Sequence, residues 1–389
     1  MRTLIVLLLR FFLGLLGLVL GRLQRRAPGR VFCFFATPGV GGAERVHADI
    51  VAALADAKPV VFFTEVSPDL TLLPQFAAHA DCRFIHGRKR GPLREYFRIG
   101  LAAALVNRAP GGVALGAFSH FYYDMLPFLN PRVRCVDLVH NFGVGFEHYS
   151  LRLAPRLDAR VVIAPRFADE LRGLYNAVGL EPGHDGKLRV ILNGVHVPAQ
   201  LPELPARQSG PLRVLYVGRN SPEKRVALVG RIAQGCRDAG INAEFTLVGE
   251  VEIGIAPEHR PLCRFTGLVA DTDALTQLYR DAHVVLITST REGFPVSVME
   301  AMAQGVVPLC TRVGGIPGQI RDGVNGVLVD PQPDEAVVEQ CVTKLGKLAA
   351  HRGMVNAMGR AAHAHALEHF AMERFAQQWR EVLLPGAAP

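Results

Sequence analysis

The chain has 389 residues, enough for two ordinary domains, and its composition of 49% hydrophobic and 20% charged residues excludes a disordered chain and admits a large core. The net charge of +8 is lopsided: residues 1–200 hold 24 Lys and Arg against 15 Asp and Glu, residues 201–389 hold 19 against 20. The first half therefore suits an anionic partner, a membrane surface, lipid phosphate or acidic glycan; nucleic acid is not expected, because no binding motif accompanies the basic runs. Seven scattered cysteines without a C-x-x-C pair exclude a disulfide frame or a cysteine zinc site and fit reduced cytosolic thiols.

Residues 3–21 are almost wholly apolar, a helix of about 28 Å against a hydrocarbon core of roughly 30 Å. Arg10 interrupts the run and would cost about 2.5–3.5 kcal/mol near the bilayer centre, while each Leu, Ile, Val or Phe returns about 0.3–0.6 kcal/mol. Arg22, Arg25, Arg26 and Arg30 follow, so the positive-inside bias places the rest of the chain in the cytoplasm. Residues 1–29 are expected to be a membrane-associated helix, spanning or lying in the plane. No small-residue cleavage site marks a removed signal peptide.

Val31-Phe32-Cys33-Phe34-Phe35 reads as the first strand, residues 38–42 as a glycine-rich turn, and a helix begins near Ala43. Glycines there let backbone approach a phosphate or sugar. Strand-like runs at 60–63, 83–85, 113–115, 133–139, 161–164 and 189–192 alternate with helical stretches such as 93–107, the pattern of a parallel sheet wrapped by helices. The basic segment 86–94 suits either a solvated turn or a contact for lipid phosphate. Arg152, Arg156 and Arg160, spaced by four, read as a mostly solvated helical stripe. His140 ends the run 136–139, at a strand's carboxyl end where open α/β sheets bind ligands; a satisfied structural histidine fits the same place.

Prolines 198, 202, 205 and 211 mark a linker near residue 200. Arg219 follows the strand-like run 213–218 and Lys224 lies five residues on, two cations able to clamp a diphosphate. Asp271-Thr272-Asp273 has the spacing of a metal-binding triplet, yet it precedes a helix at 274–280 and reads as an N-cap. Val284-Val285-Leu286-Ile287 reads as a buried parallel strand. Pro295 then suits the first turn of a helix and Gly305 its end. The N–H groups of residues 294–297 point out of that helix start and attract phosphate. Glu292 in the loop can reach a sugar, and Glu300, about one and a half turns into the helix, can accept from a ribose. Helices are expected at 334–350, 353–369 and 372–384.

The window from Glu292 to Glu300 resembles the E-x7-E signature of family 4 retaining glycosyltransferases of the GT-B fold. Val313-Gly314-Gly315-Ile316-Pro317, Asp322-Gly323-Val324-Asn325-Gly326, Gly41-Gly42-Ala43-Glu44-Arg45 and Val217-Gly218-Arg219 with Glu223-Lys224 are similar too. The resemblance implies an α/β protein of two Rossmann-like domains facing across a cleft: 30–200 for the acceptor, 201–370 for a nucleotide-sugar, and 371–389 as a helix crossing back to the first. It implies transfer from a nucleotide-sugar, UDP-linked in the first instance, to a lipid-linked or cell-envelope glycan at the cytoplasmic face of the inner membrane. Glu292, His140, Arg219 and Lys224 would be catalytic. Gly41, Gly42, Arg219, Lys224, Glu292, Gly293, Phe294, Pro295, Val296 and Glu300 would bind the donor, with no cofactor and no metal. His196 stands where the family has an aspartate after Asn193-Gly194-Val195, and Gln319 where a glutamate is usual. A GT-B nucleotide-sugar epimerase and a non-catalytic nucleotide-sugar-binding subunit are the alternatives; an NAD oxidoreductase is poor, because no G-x-G-x-x-G follows the first strand.

Overall fold

Apolar runs rich in Val, Phe and Ile become strands, and the stretches between them become helices, throughout a computed structural model that describes residues 2–25, 27, 29–39, 41–85, 92–140, 145–180, 182–201 and 210–386. The chain divides into two units, Met1–Ile191 with Phe375–Pro389, and Leu192–Arg374. The division lies ahead of the prolines that suggested a linker. Val195 N–H donates to the Phe370 carbonyl (2.8 Å) and His363 Nε2 meets the Pro198 carbonyl (2.8 Å), which ties this stretch to the second unit. Residues 202–209 and 86–91, including most of the basic segment, lie outside the described residues.

The first unit opens with helix α1 (Arg2–Leu20) and continues through β1 (Val31–Phe35), α2 (Gly42–Ala53), β2 (Val60–Phe63), α3 (Leu73–Ala77), β3 (Asp81–Phe84) and α4 (Pro92–Asn107). It proceeds through β4 (Val113–Ala117), α5 (His120–Met125), β5 (Arg134–Val139), α6 (Phe146–Leu151), β6 (Ala159–Val162), α7 (Pro165–Ala177) and β7 (Leu188–Val190). Among the described residues the seven strands form one parallel sheet in the order β3-β2-β1-β4-β5-β6-β7. Both faces are covered, so β1, β2 and β4 are buried at every position, as parallel strands between two helix layers must be.

Arg160 corrects the expected helical stripe. It lies on β6 and is 1% exposed, its guanidinium forked onto Asp137 of β5 at 2.7–3.1 Å. Tyr123 also donates to Asp137 (3.0 Å), and Ser150 and Tyr175 meet the guanidinium. Burial alone would lower the Arg160 pKa, but Asp137 outweighs it and the net shift is upward. Arg156 donates to the Asn130 and Val133 carbonyls.

The second unit contains β8 (Leu212–Val217), α8 (Ala227–Asp238), β9 (Ala243–Val248), β10 (Cys263–Phe265), α9 (Thr272–Asp281), β11 (Val284–Ile287) and α10 (Val296–Ala303). β12 (Val307–Thr311), β13 (Val327–Val329), α11 (Asp334–Ala350) and α12 (Arg352–His369) follow. Its six described strands are parallel in the order β10-β9-β8-β11-β12-β13. Asp271 caps α9, its Oδ1 accepting from Asp273 N–H (2.8 Å) and Ala274 N–H (3.0 Å), so the D-x-D triplet is a helix start. The last helix, α13 (Met372–Leu383), sits largely in the first unit. There Arg380 pairs with Asp56 (2.5 and 2.9 Å) and Arg134 donates to the Val382 carbonyl (2.8 Å).

Candidate active site

In the second unit the chain leaves β8 toward β9 on one side and returns to β11 on the other. The carboxyl ends of β8 and β11 therefore flank a topological switch point, where open α/β sheets hold ligands. The two loops that emerge there are stitched together. Thr290 N–H donates to the Glu223 carbonyl (2.8 Å) and Thr288 Oγ1 to the Lys224 carbonyl (2.8 Å). This joins two groups far apart in sequence: Lys224 Nζ lies 2.5 Å from Glu292 Oε1, which also accepts from Ser289 Oγ at 2.6 Å. Glu292 is 8% exposed.

Arg225, which sequence reasoning missed, holds this arrangement. Its φ of 46° is left-handed, rare for a side chain of this size. Its guanidinium donates to the Thr288 carbonyl (2.7 Å), the Pro331 carbonyl (2.9 Å) and Asp334 Oδ1 (2.6 Å). The signal available in the sequence was only another cation beside Lys224. Gly314 closes the far side. It has a φ of 55°, and a Cβ there would overlap the Glu292 carbonyl oxygen; the next residue, Gly315, donates its N–H to the Gly293 carbonyl at 2.6 Å. Glycine is required at 314 by both conformation and space.

Helix α10 begins after Pro295, which takes the N-cap position just outside the first turn. The expected row of N–H groups at 294–297 needs correction. Pro295 has no N–H, and those of Val298 and Met299 already bond to the Pro295 carbonyl. Val296 and Ser297 N–H are the donors left at the helix start. Phe294 is buried, its ring tilted against that of Phe370 at 5.3 Å, so only its backbone can meet a ligand. Gly305 ends the helix in the left-handed region (φ 66°). Gly305 N–H bonds to the Met302 carbonyl and Val306 N–H to the Ala301 carbonyl, a Schellman closure. Glu300 Oε2 accepts from Tyr279 Oη at 2.9 Å, so the α9 phenol orients this carboxylate. Arg219 is exposed, just past β8, and holds no ion pair among the described residues. Burial, and then Glu292, raise the Tyr216 pKa beside it.

The first unit has its own switch point between β1 and β4. Gly41 caps α2, with the Glu44 carboxylate folded against its α-carbon; a Cβ at Gly42 would meet no neighbour, which leaves room for a ligand. His140, at the end of β5, is 7% exposed and its Nε2 lies 2.7 Å from His47 Nε2 on α2. Phe35 stacks on His47 (4.1 Å) and Phe118 on His140 (5.4 Å). Phe118 has φ 49°, a strained conformation for an aromatic residue of the kind that clusters at ligand sites. Burial pushes His140 down to about 3, and burial together with His140 pushes His47 well below the imidazole range. Both rings are therefore neutral near pH 7. His47 Nδ1 is buried without a partner. An orphaned lone pair is a smaller loss than an orphaned N–H, so the pair is best satisfied with His47 Nε2–H donating and His140 protonated on Nδ1. His47 and Phe118 were not anticipated; nothing in the sequence links them to His140.

Residues 211–346 match the family model described as Glycosyl transferases group 1. Over 94 residues the chain is 37% identical to a D-inositol 3-phosphate glycosyltransferase of Streptomyces griseus subsp. griseus, an alignment covering 24% of this chain and 19% of that relative. Over 110 residues it is 32% identical to the N-acetyl-alpha-D-glucosaminyl L-malate synthase of Bacillus anthracis, covering 28% of each. The chain thus spans less than a third of these relatives' lengths. Among solved structures, Anabaena Alr3699/HepE in complex with UDP aligns with a TM-score of 0.72 at 18% identity over 91% of this chain and 99% of that one. Residues 211–346 are thus a domain of the glycosyl transferases group 1 type, in a chain whose two parallel-sheet units have the GT-B fold.

Proposed function

We propose that the chain is a retaining glycosyltransferase that moves a sugar from a nucleotide-sugar, UDP-linked, to a lipid-linked or cell-envelope glycan at the cytoplasmic face of a membrane. The observation that carries this reading is the Lys224–Glu292 pair at the head of α10, set within the segment that matches glycosyl transferases group 1. The UDP named for the Anabaena structure supports the donor class.

In this reading the donor diphosphate lies against Val296 and Ser297 N–H, Arg219 and Lys224. The bond from the anomeric carbon to the diphosphate oxygen breaks, and negative charge grows where those donors and cations already stand. The acceptor hydroxyl attacks from the same face, and its proton passes to the departing oxygen. Glu292 orients the sugar and Glu300 the ribose; in the first unit, neutral His140 offers an N–H to a sugar hydroxyl. Arg219, Lys224 and the Val296 and Ser297 N–H groups supply the positive charge that a metal would supply elsewhere.

The test is donor hydrolysis over a panel of nucleotide-sugars, with the released anomer followed by NMR. One UDP-sugar should be consumed with its anomeric configuration retained. Lys224→Ala and Arg219→Ala should each lower turnover by roughly 10²–10³. An inverted product, or rates within threefold of the parent for both variants, refutes the assignment.

A further inference from the structure

Helix α1 has its polarity inside out. Arg10, Gly14, Gly17 and Gly21 recur at helical spacing and form the stripe that faces α4. The fit is backbone to backbone. A Cβ at Gly17 would overlap the Phe97 carbonyl oxygen, one at Gly100 would overlap that of Gly14, and Gly21 sits over the Ala104 methyl. Arg10 also turns inward, its guanidinium 5.4 Å from the Tyr96 ring centre. Tyr96 donates to Asp124 Oδ2 (3.1 Å) and Tyr149 to Asp124 Oδ1 (2.5 Å), so the arginine has a carboxylate network beside it. At the other end Arg108 of α4 donates to the carbonyls of Arg22 and Gln24. The two helices thus run side by side in the same direction from Arg10 to Gln24. The expected cost of Arg10 in hydrocarbon does not arise, because its side chain faces protein.

The opposite face is apolar and uncovered. Leu8, Phe12, Leu16, Val19 and Leu23 are 49–85% exposed, within a set of eleven exposed large apolar residues between Val6 and Leu23. The patch amounts to roughly 1,000 Å², well above the few hundred Å² usual on a soluble monomer. Arg22, Arg25 and Arg30, all exposed, follow at its end, placed as cations are at an anionic headgroup layer. An apolar outer face, basic residues at its margin and an arginine hidden on the inner side together fit a lipid bilayer.

We propose that α1 is a monotopic docking helix. It lies flat in the bilayer surface, its glycine stripe locked on α4 and its outer face in the lipid, so that the first unit is clamped to the membrane rather than tethered below a spanning helix. Spanning would require α1 to peel away from α4, uncover the glycine seam and carry Arg10 from the Tyr96 ring into hydrocarbon. Only the use of this docking, bringing the first unit to a lipid-linked acceptor, rests on the function proposed above.

The experiment needs neither donor nor acceptor. Single cysteines at Leu8, Phe12, Val19 and Leu23, in the full chain with Cys82 and Cys263 changed to serine, carry an environment-sensitive fluorophore. The labelled chains are bound to phosphatidylglycerol–phosphatidylethanolamine vesicles bearing spin-labelled lipids of defined depth. All four labels should report one shallow depth. In the Gly17→Leu background, where the new side chain cannot coexist with Phe97, that uniform profile should be lost. A graded profile in the parent chain, deepest in the middle of the helix, overturns the proposal in favour of spanning. Labels that stay unquenched overturn it too, and if they are shielded in a sedimenting dimer the face belongs to a second copy. An unchanged profile in Gly17→Leu refutes the role of the glycine stripe.

Discussion

Lys224→Met removes one half of a short, shielded ion pair. Nζ and Oε1 are 2.5 Å apart, and the Lys224 and Glu292 side chains are 21% and 8% exposed. At an effective dielectric of about 20 the bare attraction over that distance is roughly 7 kcal/mol, most of it offset by desolvating both ions. The asymmetry is what can be measured. Without Lys224 the carboxylate stays buried with the Ser289 hydroxyl as its donor, a loss of about 3 kcal/mol, the lower end for an orphaned buried charge. Glu292→Gln leaves Lys224 on a stem that can turn to water, a loss of about 1 kcal/mol. The double variant orphans no charge and should lose about 2 kcal/mol, giving a coupling energy of about 2 kcal/mol. The sole tryptophan, Trp379, lies in the first unit. Urea unfolding is therefore followed by circular dichroism, with hydrogen exchange across β11 and α10 locating the loss. Single-variant losses that add to within about 0.5 kcal/mol of the double variant would show that the two side chains do not interact as described.

Gly314→Ala should destabilise the second unit by more than the ~1 kcal/mol expected of alanine at positive φ alone, because the methyl overlaps the Glu292 carbonyl oxygen; a melting temperature equal to the parent's would contradict that geometry. Donor turnover should persist in excess EDTA, and loss restored by Mn²⁺ or Mg²⁺ would overturn the metal-free reading. His47→Leu should reduce turnover about tenfold, the worth of one hydrogen bond, and His47→Gln, which keeps an N–H at that reach, should restore most of it; equal activity of the two would make His47 a packing residue. The buried pair also sets a pH dependence. His140 is held at about 3 against an ordinary 6.5, so its contribution to stability is full above pH 6.5 and is lost as pH falls from 6.5 toward 3. Thermal unfolding should show this loss between pH 6.5 and 4.5, and a flat profile there would refute it.

Much of the secondary structure was legible in the sequence because its causes are local. Val284–Ile287 is apolar and largely β-branched, Asp271 offers an oxygen to the next turn, and Gly305 tolerates the left-handed closure of α10. Each result depends on a few neighbouring residues, as did the Glu292-to-Glu300 spacing that implied the fold. The partners of charged and glycine residues were not local. Arg160, four residues from Arg156, suggested a helical surface, yet it sits on a strand buried on both faces against Asp137. Arg225 looked like an ordinary cation, and only the adjacency of β8 and β11 brings it to Thr288. His47 meets His140 because α2 follows β1, which lies only two strands from β5 in the sheet. The sequence by itself determined the alternation of strands and helices and the residue types at the strand ends, since apolar pattern, capping and turn chemistry act over a few residues. Strand order decided which of those residues touch, and packing on α4 decided that Arg10, Gly14, Gly17 and, just past α1, Gly21 face protein while Leu8, Phe12, Leu16 and Val19 face outward, because neither the neighbour of a strand nor the partner of a helix face is encoded within one turn of chain.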